Sequence, residues 1–137
     1  MLKTLTGPVT QDRLLSAMRI AVALIYLQAG TAKMLGFPHV ANFDTLQMFQ
    51  LVWFAGVIEL VGGTLLVLGL FTRPVAFICS GEMAFAYFIS HHPRNFLPQL
   101  NGGNLAIAYS FVFLYLATAG GGAWSLDRWL ESRRSPE

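Results

Sequence analysis

Four long stretches of mostly apolar residues, separated by short polar or glycine-containing segments, dominate the chain. They cover residues 13–35, 48–70, 74–90 and 104–119. Each is close to the length of about 20 residues with which an apolar helix crosses a bilayer. The pattern predicts an all-α protein, a four-helix transmembrane bundle of up-down topology that forms a single domain over residues 1–137.

Two shorter segments have apolar residues at helical spacing with polar residues between them. The first, residues 40–50, carries Val40, Phe43, Leu46 and Phe49. The second, residues 124–134, lies at the C-terminal end, and we predict a short amphipathic segment at each place. The connection at 71–74 is so short that the second and third helices are expected to be antiparallel neighbours, with Thr72 as the N-cap of the third.

Charged side chains interrupt the apolar stretches where lipid would disfavour them. Glu59 lies in the middle of the second stretch and Glu82 near the middle of the third. An ionisable side chain at membrane depth costs about 2.5–3.5 kcal/mol on insertion scales, so it indicates a buried partner or a functional site. In the first stretch Arg19, Tyr26 and Lys33 recur every seven residues and therefore form one stripe along the helix.

The rise along each helix places Arg19, Glu59 and Glu82 at similar depths. We therefore predict that Arg19 contacts at least one of the two acids, with Tyr26 within reach. Two interpretations remain open. These residues form a buried ion-pair network that fixes helix packing, or they form a proton-handling or head-group site in the bundle core. In the second case the acid left without an arginine is a candidate proton carrier.

A second group of polar residues is expected at the outer rim of the bundle. Lys33 is predicted to extend its ammonium group to the membrane surface. His91 and His92 are predicted to form a polar rim or to donate protons there. Adjacent histidines do not share a helix face, so no metal site is predicted. Tyr109 is attributed to an interfacial belt of aromatic residues.

Composition supports a membrane location and excludes several classes of protein. Only 12% of the residues are charged, against about 25% in soluble domains, and the mean hydropathy is +0.55. The net charge of +2 is too small and too dispersed for nucleic-acid binding. The single cysteine, Cys79, excludes a disulfide or a Cys-x-x-Cys pair within one chain.

Basic residues in the connecting segments carry an orientation signal. Most fall on one side of the predicted bundle: Lys3, Arg13, Arg73, Arg128, Arg133 and Arg134. By the positive-inside rule, this distribution places both termini in the cytoplasm.

Four short strings follow one another along the chain: Arg-x6-Tyr-x3-Gly-x2-Lys from Arg19 to Lys33, GVIELVGG at 56–63, LGLFTR at 68–73 and GGGAWSLD at 120–127. Together they resemble the DoxX family of small four-helix bacterial inner-membrane proteins, over about residues 15–130. The resemblance implies a multi-pass inner-membrane protein in which Arg19, Glu59 and the end formed by Ser125, Leu126 and Asp127 occupy family positions. Some members are linked to quinone-reducing thiosulfate oxidation, and others to oxidative-stress complexes.

Three hypotheses for the function remain. The first is a subunit or accessory of a quinone-linked electron-transfer or oxidative-stress complex, with a quinone or another lipid at the polar core and the redox cofactor on a partner oxidoreductase. The second is a non-catalytic scaffold or lipid-binding protein, including a homo-oligomer, whose buried charges are structural. The third is a small proton-coupled transporter.

Overall fold

The computed structural model describes residues 7–135, which contain six α-helices and no β-strand. The ends of the predicted domain, residues 1–6 with Lys3 and residues 136–137, lie outside this described part. The helices are α1 (Pro8–Leu35), α2 (Leu51–Leu68), α3 (Thr72–Ala86), α4 (Pro98–Asn101), α5 (Asn104–Ala119) and α6 (Leu126–Arg134). The chain continues from α3 through a π-helical turn at Tyr87–His91 and a 3-10 turn at His92–Arg94. The prediction of an all-α protein is confirmed.

Two helices, α1 and α2, are long and apolar enough to cross a membrane, and α5 is apolar but shorter. Pro8 suits the first turn of α1, where its missing N–H leaves no helical hydrogen bond unmade. Gly36 ends the helix in the left-handed conformation, with φ of 68°. At 1.5 Å per residue, α1 is roughly 42 Å long, so it extends beyond the neighbouring helices.

Small residues allow α1 and α2 to pack closely as antiparallel neighbours. A Cβ atom on Gly30 would lie 2.4 Å from the backbone nitrogen of Leu60, so only glycine fits at this crossing. Further along the same interface, Gly63 lies against Leu27. Residues later in α1 contact residues earlier in α2, so the two helices are antiparallel. Small residues at the interface allow membrane helices to approach each other this closely.

The helices α3 and α5 also pack in antiparallel fashion, since Arg73 at the start of α3 donates to the carbonyl oxygen of Thr118 at the end of α5. Ser80 Oγ donates to the carbonyl oxygen of Ser110 at 2.7 Å, and Ser110 Oγ donates to the carbonyl oxygen of Ser80 at 3.1 Å. The short connection after α2 brings α3 beside it, with Gly62 against Cys79. The fully buried side chains of Tyr26, Leu66 and Phe113 belong to the core between these helices.

The predicted segment at 40–50 contains one 3-10 turn, Ala41–Phe43, instead of a longer amphipathic helix. Its backbone hydrogen bonds span three residues, as from the Phe43 nitrogen to the Val40 oxygen and from the Leu46 nitrogen to the Phe43 oxygen. Separate turns follow it at 44–45 and 48–49, and Phe49 has a positive φ of 67°, so the segment does not form one continuous amphipathic helix.

The predicted capping role of Thr72 is wrong, because the helix α3 begins at this residue and is capped by a distant carboxylate. The backbone nitrogens of Phe71 and Thr72 donate to Asp127 Oδ1 and Oδ2, at 2.8 and 2.9 Å. A negative charge at a helix N-terminus interacts favourably with the helix dipole. Asp127 therefore ties the start of α6 to the start of α3.

Candidate functional site

A cavity of about 800 Å³ lies among α1, α2, α3 and α5, and we call it the central cavity. Apolar side chains of α2 and α3 form much of its wall, and polar side chains from all four helices or their connections reach it. Those polar residues are Tyr26, Lys33, Asn42, Glu59, Glu82, Ser90, His91, Arg94 and Tyr109. Its volume falls in the range of about 300–1,000 Å³ that small-molecule sites occupy.

Lys33 and Glu59 form a buried ion pair in the cavity wall. Lys33 Nζ donates to both carboxylate oxygens of Glu59, at 2.6 and 2.5 Å. The two side chains are only 13% and 3% exposed. The prediction that Lys33 extends to the outer surface is wrong, because the close α1–α2 packing around Gly30 and Gly56 brings its stem against α2. There the ammonium group pairs with a carboxylate that would otherwise be buried without a partner.

Glu82 is hydrogen-bonded to Tyr26 and is not paired with a cation within residues 7–135. Tyr26 Oη donates to Glu82 Oε2 at 3.0 Å, and the Tyr26 side chain is fully buried. Edge-to-face contacts with the rings of Tyr109 and Phe113 hold the Tyr26 ring in place. Glu82 is therefore the carboxylate of the cavity that remains available to a further hydrogen-bond donor.

Tyr109 supplies a second group with unused hydrogen-bonding capacity. Its side chain is only 7% exposed and lines the cavity, and its buried hydroxyl has no hydrogen-bond partner among the described residues. A buried donor without a partner costs about 1–3 kcal/mol. The attribution of Tyr109 to an interfacial aromatic belt is wrong, because its ring packs against Tyr26 and Phe113 in the core. Its spacing of four residues from Phe113 on one helix face was the available signal for burial.

The predicted contact between Arg19 and an acid is wrong. The fully buried Arg19 side chain donates to four backbone carbonyl oxygens instead. Nε bonds Gly121 at 2.9 Å, Nη1 bonds Leu66 at 2.5 Å and Val67 at 2.8 Å, and Nη2 bonds Trp124 at 2.5 Å. The guanidinium group thus lies at the C-terminal end of α2, where the helix dipole favours a positive charge.

The register of α1 explains why Arg19 misses the acids. The first turns of α1 extend alongside the segment at 120–125, where the Ala123 nitrogen donates to the Asp12 oxygen and Ser16 Oγ donates to the Gly121 oxygen. Arg19 is consequently level with the last turns of α2. Glu59 lies about 10 Å further along that helix from Leu66, beyond the reach of Arg19. The stem of Lys33 lies against Gly56, and its ammonium group reaches back to Glu59.

The predicted rim histidines lie in different surroundings. His91 is at the edge of the central cavity, and its Nδ1 lies 3.1 Å from the carbonyl oxygen of Asn101, to which it donates. His92 is exposed, and its ring packs near Phe88 and Phe96. Residues 7–135 contain no group of three metal-ligating side chains.

Comparisons of the sequence with known proteins identify a matching family and several relatives. The family model described as DoxX matches residues 14–92. An uncharacterized protein of Haemophilus influenzae is 47% identical over 82% of this chain and 87% of its own length. The inner membrane protein YphA of Escherichia coli is 34% identical over 84% of this chain and 89% of its own. An uncharacterized membrane protein of Mycobacterium tuberculosis is 28% identical over 84% and 80%. No solved structure matches the chain.

Proposed function

The chain belongs to the DoxX family of membrane proteins, and from this premise we propose that its central cavity binds the polar head group of a lipid-soluble carrier, a quinone. The protein would serve as a subunit or accessory of a membrane electron-transfer or oxidative-stress complex. The observation that carries the proposal is the Tyr109 hydroxyl, which has no hydrogen-bond partner within residues 7–135 and lies beside the Glu82–Tyr26 pair in a cavity of about 800 Å³. A protein group left unsatisfied in a cavity wall is a natural partner for a ligand atom.

A quinone head group fits the chemistry of these residues. Its carbonyl oxygen accepts a hydrogen bond from the Tyr109 hydroxyl, and the hydroxyl of the corresponding quinol donates to Glu82. The formal charges in the cavity balance, since Lys33 and Arg94 oppose Glu59 and Glu82. Burying an unpaired charge is costly, so a cavity whose formal charges balance favours a neutral head group over an anionic one. In this proposal a partner oxidoreductase holds the redox centre, and this chain binds and orients the carrier.

We further propose that α1, α2, α3 and α5 cross the bacterial inner membrane as an up-down four-helix bundle with both termini in the cytoplasm. Pairwise antiparallel packing of α1 with α2 and of α3 with α5 supports this topology. Arg73 donates to the Thr118 carbonyl and Arg128 pairs with Asp12, so several basic residues gather at one end of the helices. The positive-inside rule assigns that end to the cytoplasm.

The test is quinone binding by the purified protein. Wild-type protein extracted in mild detergent is expected to retain quinone that mass spectrometry of its lipid extract detects, and to bind added decylubiquinone. Tyr109→Phe removes one hydrogen bond and is expected to weaken decylubiquinone binding about tenfold. Tyr115→Phe is the matched control, because Tyr115 is an exposed tyrosine on the same helix outside the cavity wall. The proposal fails if wild-type protein neither retains quinone nor binds decylubiquinone.

A second candidate function, a non-catalytic scaffold, is favoured by the Lys33–Glu59 pair. Both carboxylate oxygens of Glu59 are already bonded to Lys33, so this pair needs no ligand. A scaffold also predicts that Glu82→Gln, which keeps an acceptor for Tyr26, leaves function in cells intact. Cross-linking in membranes followed by mass spectrometry distinguishes the two functions. A scaffold of identical subunits is expected to give cross-linked homo-oligomers, whereas an electron-transfer subunit is expected to be cross-linked to an oxidoreductase.

A further inference from the structure

The central cavity has an apolar side between α2 and α3. Midway along α3 these helices touch, and a Cβ atom on Gly62 would lie 2.6 Å from Cys79 Sγ. Toward the ends opposite their connection, Ala55 of α2 and Phe85 of α3 both line the cavity, so the space between the helices belongs to the cavity there. The two helices therefore form a cleft that widens away from their connection.

The walls of this cleft are exposed and apolar. Phe54, Ile78, Phe85 and Ile89 line the cavity, and 45–56% of each residue's surface is exposed. The polar groups lie deeper in the cavity, where Tyr26 of α1, Glu59 of α2 and Tyr109 of α5 are buried. Glu82 of α3, bonded to Tyr26, is half-buried beside them. One continuous cavity thus joins a polar floor to an apolar opening, which is the arrangement that an amphiphilic ligand requires.

We infer that the ligand carries a hydrocarbon chain, which leaves the central cavity through the cleft between α2 and α3 and continues into the lipid. This inference rests on the proposed head-group site. Lipid tails are as apolar as the walls of the cleft, so the hydrocarbon chain of the ligand gains little free energy by moving from the lipid into the protein. Binding of the head group therefore provides most of the affinity. The cleft lets the hydrocarbon chain stay in apolar surroundings while the head group occupies the polar floor.

Gly81 offers a way to close the cleft. It lies on α3 in the cavity wall, and a Cβ atom added there would meet no heavy atom within 4 Å. A phenylalanine at this position therefore projects into open space without displacing backbone. Ala108 is the control position, because it is exposed on α5 and lies outside the cavity wall.

The experiment uses two photoreactive analogues of decylubiquinone in proteoliposomes, one with an azide on the ring and one with a diazirine near the end of the chain. Peptide mapping is expected to place the ring label near Glu82 and Tyr109, and the chain label on Ile78, Phe85 and neighbouring residues of the cleft. Gly81→Phe is expected to lower the chain label in the cleft at least fivefold, whereas Ala108→Phe leaves it within twofold of wild type. Gly81→Ala, a smaller addition, is expected to have an intermediate effect.

The two labels separate failure of this inference from failure of the proposed function. Ring labelling near Glu82 with chain labels spread over the outer surfaces of α1 and α5 overturns the cleft and leaves the head-group site standing. Ring labelling that excess decylubiquinone does not compete away overturns the head-group site, and the inference falls with it. An equal loss of chain label in Gly81→Phe and Ala108→Phe also contradicts the cleft.

Discussion

Replacing Arg19 by leucine tests whether this buried cation holds the fold together through backbone carbonyls. The side chain is fully buried, and its four hydrogen bonds join α1 to the end of α2 and to the segment before α6. Arg19→Leu removes all four bonds at once. The expected result is a large loss of stability together with release of the segment at 120–125.

The size of the expected loss of stability depends on which carbonyl oxygens are left without any hydrogen-bond donor. The Leu66 oxygen also accepts from the Gly69 nitrogen, and the Gly121 oxygen also accepts from Ser16 Oγ. The oxygens of Val67 and Trp124 have no other side-chain donor or turn donor among the described residues. Two partly buried acceptors left unsatisfied, at about 1–3 kcal/mol each, give an expected loss of about 2–6 kcal/mol.

The assay is equilibrium unfolding in mixed micelles followed by tryptophan fluorescence, with thermal unfolding as a second measurement. A loss of this size lowers Tm by roughly 10 °C in a chain of this length. Arg13→Leu is the matched control, because Arg13 is an exposed arginine on the same helix. Arg19→Lys should be intermediate, since one ammonium group cannot reach all four carbonyls. Arg19→Leu protein with the stability of Arg13→Leu protein would refute the reasoning.

Three further predictions concern the pairs that organise the helices. Lys33→Leu is expected to destabilise the protein by about 3–5 kcal/mol in the same unfolding assay, because it leaves the buried carboxylate of Glu59 unpaired, and the added change Glu59→Leu should restore most of the loss. Asp127→Ala should lower stability by about 0.5–2 kcal/mol through loss of the α3 cap, with Asp127→Asn closer to wild type. Gly30→Ala should lower the free energy of unfolding by about 1–3 kcal/mol, because the added methyl group separates α1 from α2. Gly81→Ala, in open space, should leave stability unchanged or increase it. Equal Tm values for Gly30→Ala and Gly81→Ala would contradict the packing argument.

The sequence pattern was sufficient to predict the helices because apolar stretches and their breaks are local features. Predicted residues 104–119 coincide with α5, and α2 and α3 differ from their predicted spans by a few residues. The C-terminal amphipathic segment forms α6. The 40–50 segment differs because apolar spacing alone does not distinguish an α-helix from a series of tight turns that hold one aromatic, Phe43, against the cavity.

The partners of the buried charges were not predictable in the same way. They depend on the axial offset between α1 and α2, which Gly30 fixes by admitting the backbone of Leu60, and on the path of the segment at 120–125. The depth estimate assumed that α1 and its neighbours begin at one level. The extra turns of α1 near Asp12 shift its polar stripe, so Glu59, one of the two acids that Arg19 was predicted to contact, pairs with Lys33 instead.

The observed partners, backbone carbonyls for Arg19 and a carboxylate for Lys33, suit the shapes of the two cations. A guanidinium group has donors on three nitrogens in one plane, which suits several carbonyls at a helix end. An ammonium group is a compact charge that suits a single carboxylate. The polar stripe of α1 consequently serves two regions, with Arg19 fastening the helix ends and Lys33 and Tyr26 contributing to the central cavity. Loss of function after a change at Arg19 therefore reports on folding, and only changes in the cavity wall, such as Tyr109→Phe, report on the ligand.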